Sequence, residues 1–117
     1  KAVNDTYGHT AGDAVLQAIA VCITRELRMS DIVARYGGEE FVCLAILKDA
    51  GDVAVVCERV RQAVEALELV YEGQRIPVTV SIGATTQLGE CFEDMLRLAD
   101  NGVYQAKDAG RNRFVVV

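Results

Sequence analysis

Two adjacent glycines followed at once by two adjacent acids, Gly37, Gly38, Glu39 and Glu40 in the stretch RYGGEEF, are the residues of this chain most suggestive of chemistry. Paired glycines permit positive φ at a turn and let the backbone approach a ligand closely. The acids add a demand of their own, because unneutralised neighbouring carboxylates repel and a structural turn needs neither. A cationic partner is expected. Hard oxygen donors with no histidine beside them suit Mg²⁺ or Mn²⁺ better than zinc. Consecutive residues of a strand point to opposite faces, so Glu39 and Glu40 are not expected to contribute identically.

The elements that must hold this tip follow from the flanking sequence. DIVARY and FVCLAIL are β-branched and apolar, which predicts two strands joined by the glycine turn. The nearly unbroken apolar second arm predicts a central strand covered on both faces by helices. Before the hairpin, Val15, Leu16, Ile19, Ile23 and Leu27 recur with helical period from about Gly12 to Leu27, with Asp13 near the positive N-terminus. After it, Asp52 is placed to cap a second helix reaching about Leu69, with Val56, Val60, Val64 and Leu67 along one side.

Polar EGQR at 72–75 turns the chain into IPVTVSIGATT, which reads as one long strand with Pro77 near its start and Gly83 marking a bend. A last helix is predicted over Phe92 to Ala109, with Gly110 as a left-handed stop before the short strand RFVVV. The order helix, strand, strand, helix, strand, helix, strand predicts an α/β sandwich with one sheet.

Composition bounds the function. At 117 residues, 51% hydrophobic and with one proline, the chain suits a single globular domain with one core. A formal charge of −5 argues against a broad electrostatic grip on nucleic acid or anionic membrane, so a phosphate ligand must be held locally. Cys22, Cys43, Cys57 and Cys91 show no CxxC spacing, and three of them sit among Val, Ile and Leu, which predicts buried thiols in a reducing cytoplasm. No apolar run reaches membrane-spanning length and KAVNDTYGH lacks a signal-peptide core, so a cytoplasmic domain without membrane insertion is expected.

Four segments, NDTYGHTAGDAVL, the GGEEF tip, VSIGA and ADNGVYQAKDAGRNR, occur in an order and separation that resemble the GGDEF family, the diguanylate cyclases, along the whole chain. The resemblance implies a nucleotidyl cyclase-like, palm-like α+β sandwich with a central mixed, largely antiparallel sheet flanked by helices. It implies that two GTP molecules are joined into cyclic di-GMP, that each domain holds one GTP, and that two domains meet as a homodimer. Glu39 matches the metal ligand, and Glu40 a second ligand or the group that helps deprotonate the attacking hydroxyl. Asn4 and Asp13 match the guanine contacts, and Lys107 and Arg111 the residues that grip the phosphates. The family's first strand, which carries a metal-binding aspartate, precedes the position of Lys1, so 1–117 is expected to be an N-terminally incomplete GGDEF domain with little activity as a piece.

Arg28 and Asp31 in RMSD form the family's RxxD pattern at its usual spacing from the glycines, where cyclic di-GMP binds back as an inhibitor. Arginine can fork onto guanine O6 and N7 while aspartate accepts from another edge of the base. Arg59 in CERVR matches an arginine that completes inhibition from a neighbouring domain. His9 is read as structural. Each residue also has a plain alternative: Asn4 as a turn residue, Asp13 as a first-turn acid, Lys107 and Arg111 as complements to a helix dipole, and RxxD as a surface ion pair. Two further readings stay beside the enzyme, a non-catalytic module that binds GTP or cyclic di-GMP as a receptor, and a structural dimerisation domain. A regulatory sensory domain in the parent protein is expected.

Overall fold

The computed structural model describes residues 9–27, 32–35, 40–49, 51–87 and 89–117. In chain order its elements are α1 (His9–Glu26), β1 (Ile32–Arg35), β2 (Phe41–Leu44), α2 (Asp52–Glu65), β3 (Leu69–Tyr71), β4 (Gln74–Ile76), β5 (Ser81–Ala84), α3 (Phe92–Asp108) and β6 (Arg113–Val116). Helices α1 and α2 pack on each other, while α3 lies across β5 and β6. The strands pair as β1–β2 and β3–β4, both antiparallel, and as the parallel pair β5–β6. The α/β class with mixed, mainly antiparallel pairing stands. Instead of one continuous sheet, the described residues form three two-stranded ladders, each closed locally by its own hairpin or by the α3 crossover.

The apolar stripe read from α1 forms the core. Val15, Ile19, Cys22 and Ile23 are buried against Val60 and Val64 of α2 and Ile76 of β4. Burying such a side chain is worth roughly 1.5–3 kcal/mol, so this contact between helices carries much of what holds the N-terminal half together. Burial also pushes the Cys57 thiol up to about 11, with the neighbouring Cys43 a smaller cause, and raises that of Cys22.

Several local expectations change. FVCLAIL is not covered on both faces: β2 stops at Leu44, which is exposed, as are Cys43 and Ile46. The N-cap of α2 is Gly51, with no side-chain cap bond, and Asp49 closes the turn before it, its carboxylate accepting the Gly51 N–H at 3.1 Å and its carbonyl the Asp52 N–H at 3.0 Å. Asp52 is instead the first helical residue, where its charge suits the dipole. That helix ends at Glu65, because Leu69–Tyr71 pairs with Gln74–Ile76 around a two-residue turn. Glu72 and Gly73 there have φ of 50° and 80°, the positive pair that a type I′ hairpin requires. The long strand is therefore split, and Pro77 follows β4 rather than opening a strand.

Gly83 marks a close approach. A Cβ on Gly83 would overlap the Ala99 carbonyl oxygen and the Val103 nitrogen of α3, and a Cβ on Gly102 would come within 2.8 Å of the Gly83 Cα. Strand and helix meet here backbone to backbone, with no side chain able to rotate aside. Gly83→Ala is expected to cost about 3 kcal/mol, the upper range for overpacking a close contact, and Gly102→Ala to cost less. Urea unfolding of the two variants against the parent chain checks both the magnitude and the order.

Candidate functional site

Helix α1 and the β1–β2 hairpin enclose a groove of about 490 Å³ lined by Asp13, Leu16, Gln17, Ala20, Thr24, Val33 and Phe41. Positions 13, 17, 20 and 24 follow the three- and four-residue steps that keep one face of a helix together. That face therefore presents an acid, an amide, a small residue and a hydroxyl in succession. Thr24 is tied back to its own helix, its hydroxyl donating to the Ala20 carbonyl at 2.8 Å. Asp13 is exposed, and it lies beyond the first turn of α1, which contains no acid. Its expected interaction with the helix N-terminus is thus replaced by a place on the groove wall.

At its β2 side the groove is lined by Phe41, whose preceding neighbour Glu40 is exposed at the entry to β2. Glu39, Gly37 and Gly38 lie outside the described residues, as do Asn4, Arg28 and Asp31. Among the described residues no three His, Cys, Asp or Glu side chains converge as a metal site. Glu40 supplies one accessible hard carboxylate of the kind a divalent cation takes.

Lys107 lies in the last turn of α3, and Arg111 follows where that helix stops. The Gly110 N–H donates to the Lys107 carbonyl at 3.3 Å and the Arg111 N–H to the Ala106 carbonyl at 2.9 Å, the two bonds of a Schellman stop. Gly110 has φ of 120°, so the left-handed stop expected from the sequence is present. Both basic side chains are exposed, and neither lines the groove. A helix C-terminus repels anions by its dipole, so any anion held here depends on the side-chain charges.

Arg59 projects from α2 toward the end of α1. Its guanidinium donates to the Glu26 carbonyl and pairs with the Glu26 carboxylate at 3.3 Å. Beside it, a smaller cavity of about 140 Å³ is lined by residues that include Leu27, Leu47, Val55 and Val56. The inhibitory-site arginine of the sequence reading is therefore engaged within its own chain.

One cluster was not anticipated. Arg61 forks onto Glu58 at 2.7 and 2.8 Å, reaches Glu65 at 3.4 Å, and donates to Asn112 Oδ1 at 2.9 Å. Asn112 in turn donates to Glu65. The Arg61 fork holds the Glu58 carboxyl below the usual carboxylate range, with Gln62 donating as well. The spacing of Glu58, Arg61 and Glu65 on one helix is readable as i,i+3 and i,i+4 pairs. Their partner 51 residues away from Arg61 is not.

Fold and site together define a mixed α/β domain with a groove between α1 and the β1–β2 pair and two exposed basic residues where α3 ends. The family model for the diguanylate cyclase GGDEF domain matches residues 1–113. Diguanylate cyclase A of Treponema denticola is 42% identical over 115 residues, covering 97% of this chain and 31% of that protein. The response regulator PleD of Caulobacter vibrioides is 40% identical over 119 residues, covering 98% and 26%. The GGDEF domain of DgcB from Caulobacter crescentus, solved in complex with c-di-GMP, has a TM-score of 0.90 at 34% identity, covering 98% of this chain and 70% of that one. Diguanylate cyclase SiaD of Pseudomonas aeruginosa, solved with its activator SiaC, has a TM-score of 0.91 at 39% identity, covering 98% and 45%. The chain belongs to the GGDEF family, and it spans about a quarter to a third of the curated relatives it matches.

No described helix is long and apolar enough to cross a membrane. The Glu58–Arg61 pair makes a pH prediction. A carboxyl whose folded pKa is depressed stabilises the fold above its unfolded pKa and loses that contribution as pH falls through the folded value. Glu58→Gln is therefore expected to melt below the parent at pH 7, with the two midpoints converging as pH falls through the carboxylate range. Paired thermal melts across that range test the sign.

Proposed function

We propose that this domain condenses two GTP molecules into cyclic di-GMP and pyrophosphate as part of a longer, signal-controlled enzyme. The observation that carries the reading is the groove that Asp13 lines together with Phe41, the residue that follows Glu40 in the chain, in a member of the GGDEF family. Asn4 and Asp13 would select guanine, the carboxylate accepting from N1–H and N2–H. Lys107 and Arg111 would hold the phosphates, and Gly37 and Gly38 would let the backbone come close to them.

The reaction attaches the ribose 3′-oxygen of one GTP to the α-phosphorus of another as pyrophosphate leaves. Each domain would hold one GTP, so a face-to-face homodimer aligns the two. Glu39 and Glu40 would hold a divalent cation, Mg²⁺ or Mn²⁺, which when bound neutralises charge on the phosphates. Glu40 would act either as a second ligand or as the group that accepts the proton of the 3′-hydroxyl.

Arg28 and Asp31, with Arg59 from a neighbouring copy, would bind cyclic di-GMP as an inhibitor that keeps two hairpins apart. The present pairing of Arg59 with Glu26 means that product must compete for that guanidinium. The complex of the DgcB domain with c-di-GMP supports such a site, and equally supports the second reading, a receptor that binds the nucleotide without making it.

Incubating the full-length protein with GTP and Mg²⁺ and separating the products by chromatography tests the two readings against each other. Cyclic di-GMP from the parent and none from Glu39→Ala is the expected result. A folded, dimeric parent that makes no product would favour the receptor. In the same assay, Arg28→Ala is expected to raise the concentration of cyclic di-GMP needed for half-inhibition by about tenfold or more, the worth of one bidentate guanine contact. Unchanged inhibition would remove Arg28 from the product site.

A further inference from the structure

The turn that follows α3 does more than stop a helix. Gly110, Arg111 and Asn112 have consecutive φ values of 120°, 64° and 47°. A Schellman stop requires one left-handed residue, which Gly110 provides without steric cost. Arg111 carries a Cβ that disfavours that region, whereas Asn112 is of a type that tolerates it as a single residue. Such a conformation persists only where the surroundings over-determine it.

The surroundings that do so are the α2 cluster. Asn112 is half-buried, with its Oδ1 accepting from Arg61 and its Nδ2 donating to Glu65. Flipping the amide would set oxygen against carboxylate and nitrogen against guanidinium, so the two charged partners fix its orientation. Arg61 cannot drift, because its remaining donors are held by Glu58 and its side chain is only 16% exposed. A further bond closes the turn, Arg113 Nε donating to the Arg111 carbonyl at 3.1 Å. Arg111 is thus fixed by its backbone on both sides. Its guanidinium, in contrast, is exposed and pairs with no carboxylate among the described residues.

We infer that Arg61, acting through Asn112 and Glu65, is a positioning residue that holds the turn so that Arg111 is presented to the phosphates of GTP. This rests on the proposed phosphate grip of Lys107 and Arg111. The cluster has two effects on that grip. It pins the backbone of Arg111 in a conformation that a free chain seldom visits, and it engages the Glu65 carboxylate next to Asn112 so that this acid does not capture Arg111 itself.

The test uses the full-length protein with Mg²⁺ and the α,β-methylene analogue of GTP, with guanosine as a ligand that lacks phosphates. Arg61→Lys keeps a cation but cannot fork onto Glu58 and reach Asn112 together. Asn112→Gly deletes the amide while tolerating positive φ, and it serves if the lysine variant does not fold. Each is expected to weaken binding of the analogue by roughly tenfold, as for the loss of one charge-assisted contact, while guanosine affinity holds. In an Arg111→Ala background neither should cause a further loss.

Parent-like affinity for the analogue in both variants overturns the inference. So does an equal loss for guanosine, which marks a general disturbance of the fold, and so does a loss that adds in full to that of Arg111→Ala. If Arg111→Ala alone leaves analogue affinity unchanged, the phosphate grip fails first and takes the positioning role with it, and that arm separates the two failures.

Discussion

The contact on which the C-terminal half of the fold depends is the crossing of Gly83 and Gly102, where β5 and α3 touch through their backbones. Ordinary helix–sheet packing is set by side chains, which can rotate to absorb small errors. Here no side chain intervenes, so the separation of strand and helix is fixed by main-chain atoms alone. The parallel partner β6 joins the same arrangement: a Cβ on Gly102 would also lie 3.0 Å from the Val115 carbonyl. The far end of α3, with Lys107 and the turn to Arg111, therefore inherits its place from a contact two turns earlier in the helix.

The other half is organised differently. Between α1, α2 and β4 the spacing is set by apolar side chains, Val15, Ile19, Cys22, Ile23, Val60, Val64 and Ile76. This part was legible in the sequence, because burial of one helix face leaves a three- and four-residue period that needs no knowledge of the partner. The stop at Gly110 was legible for a similar reason, since a left-handed position selects glycine locally. FVCLAIL misled because an apolar run reports what a strand is able to bury, not what covers it. Leu44 and Ile46 remain exposed although their neighbours Phe41 and Val42 are partly covered.

The boundaries that moved did so through competition between local signals. Asp49 and Asp52 both have the chemistry of a helix start, yet the N-cap falls on Gly51 between them without a side-chain cap bond, Asp49 closing the preceding turn and Asp52 opening the helix. The tail of α2 was apolar enough to extend the helical pattern to Leu69, yet Leu69–Tyr71 had a better use in the hairpin with Gln74–Ile76. The groove was only half legible: Asp13 was named for its chemistry, but Gln17, Thr24 and Phe41 share its wall only because α1 and the hairpin come together in space.

The charge balance bears on the same question from another side. A chain with net charge −5 repels a triphosphate at long range, and screening leaves close contacts to decide the outcome. Holding such a ligand then requires cations that are not already neutralised by the protein's abundant acids. The acids of α2 nearest the basic end are occupied from within: Glu58 by the fork of Arg61, and Glu65 by Arg61 and Asn112. Arg59 is committed likewise, to Glu26. Lys107 and Arg111, like Arg25, Lys48, Arg75 and Arg113, take part in none of the described ion pairs. In an acidic domain, an exposed arginine and lysine at one helix end that join none of the described ion pairs are better suited to an external anion than Arg59, Arg61 and Arg97, which the fold has already matched.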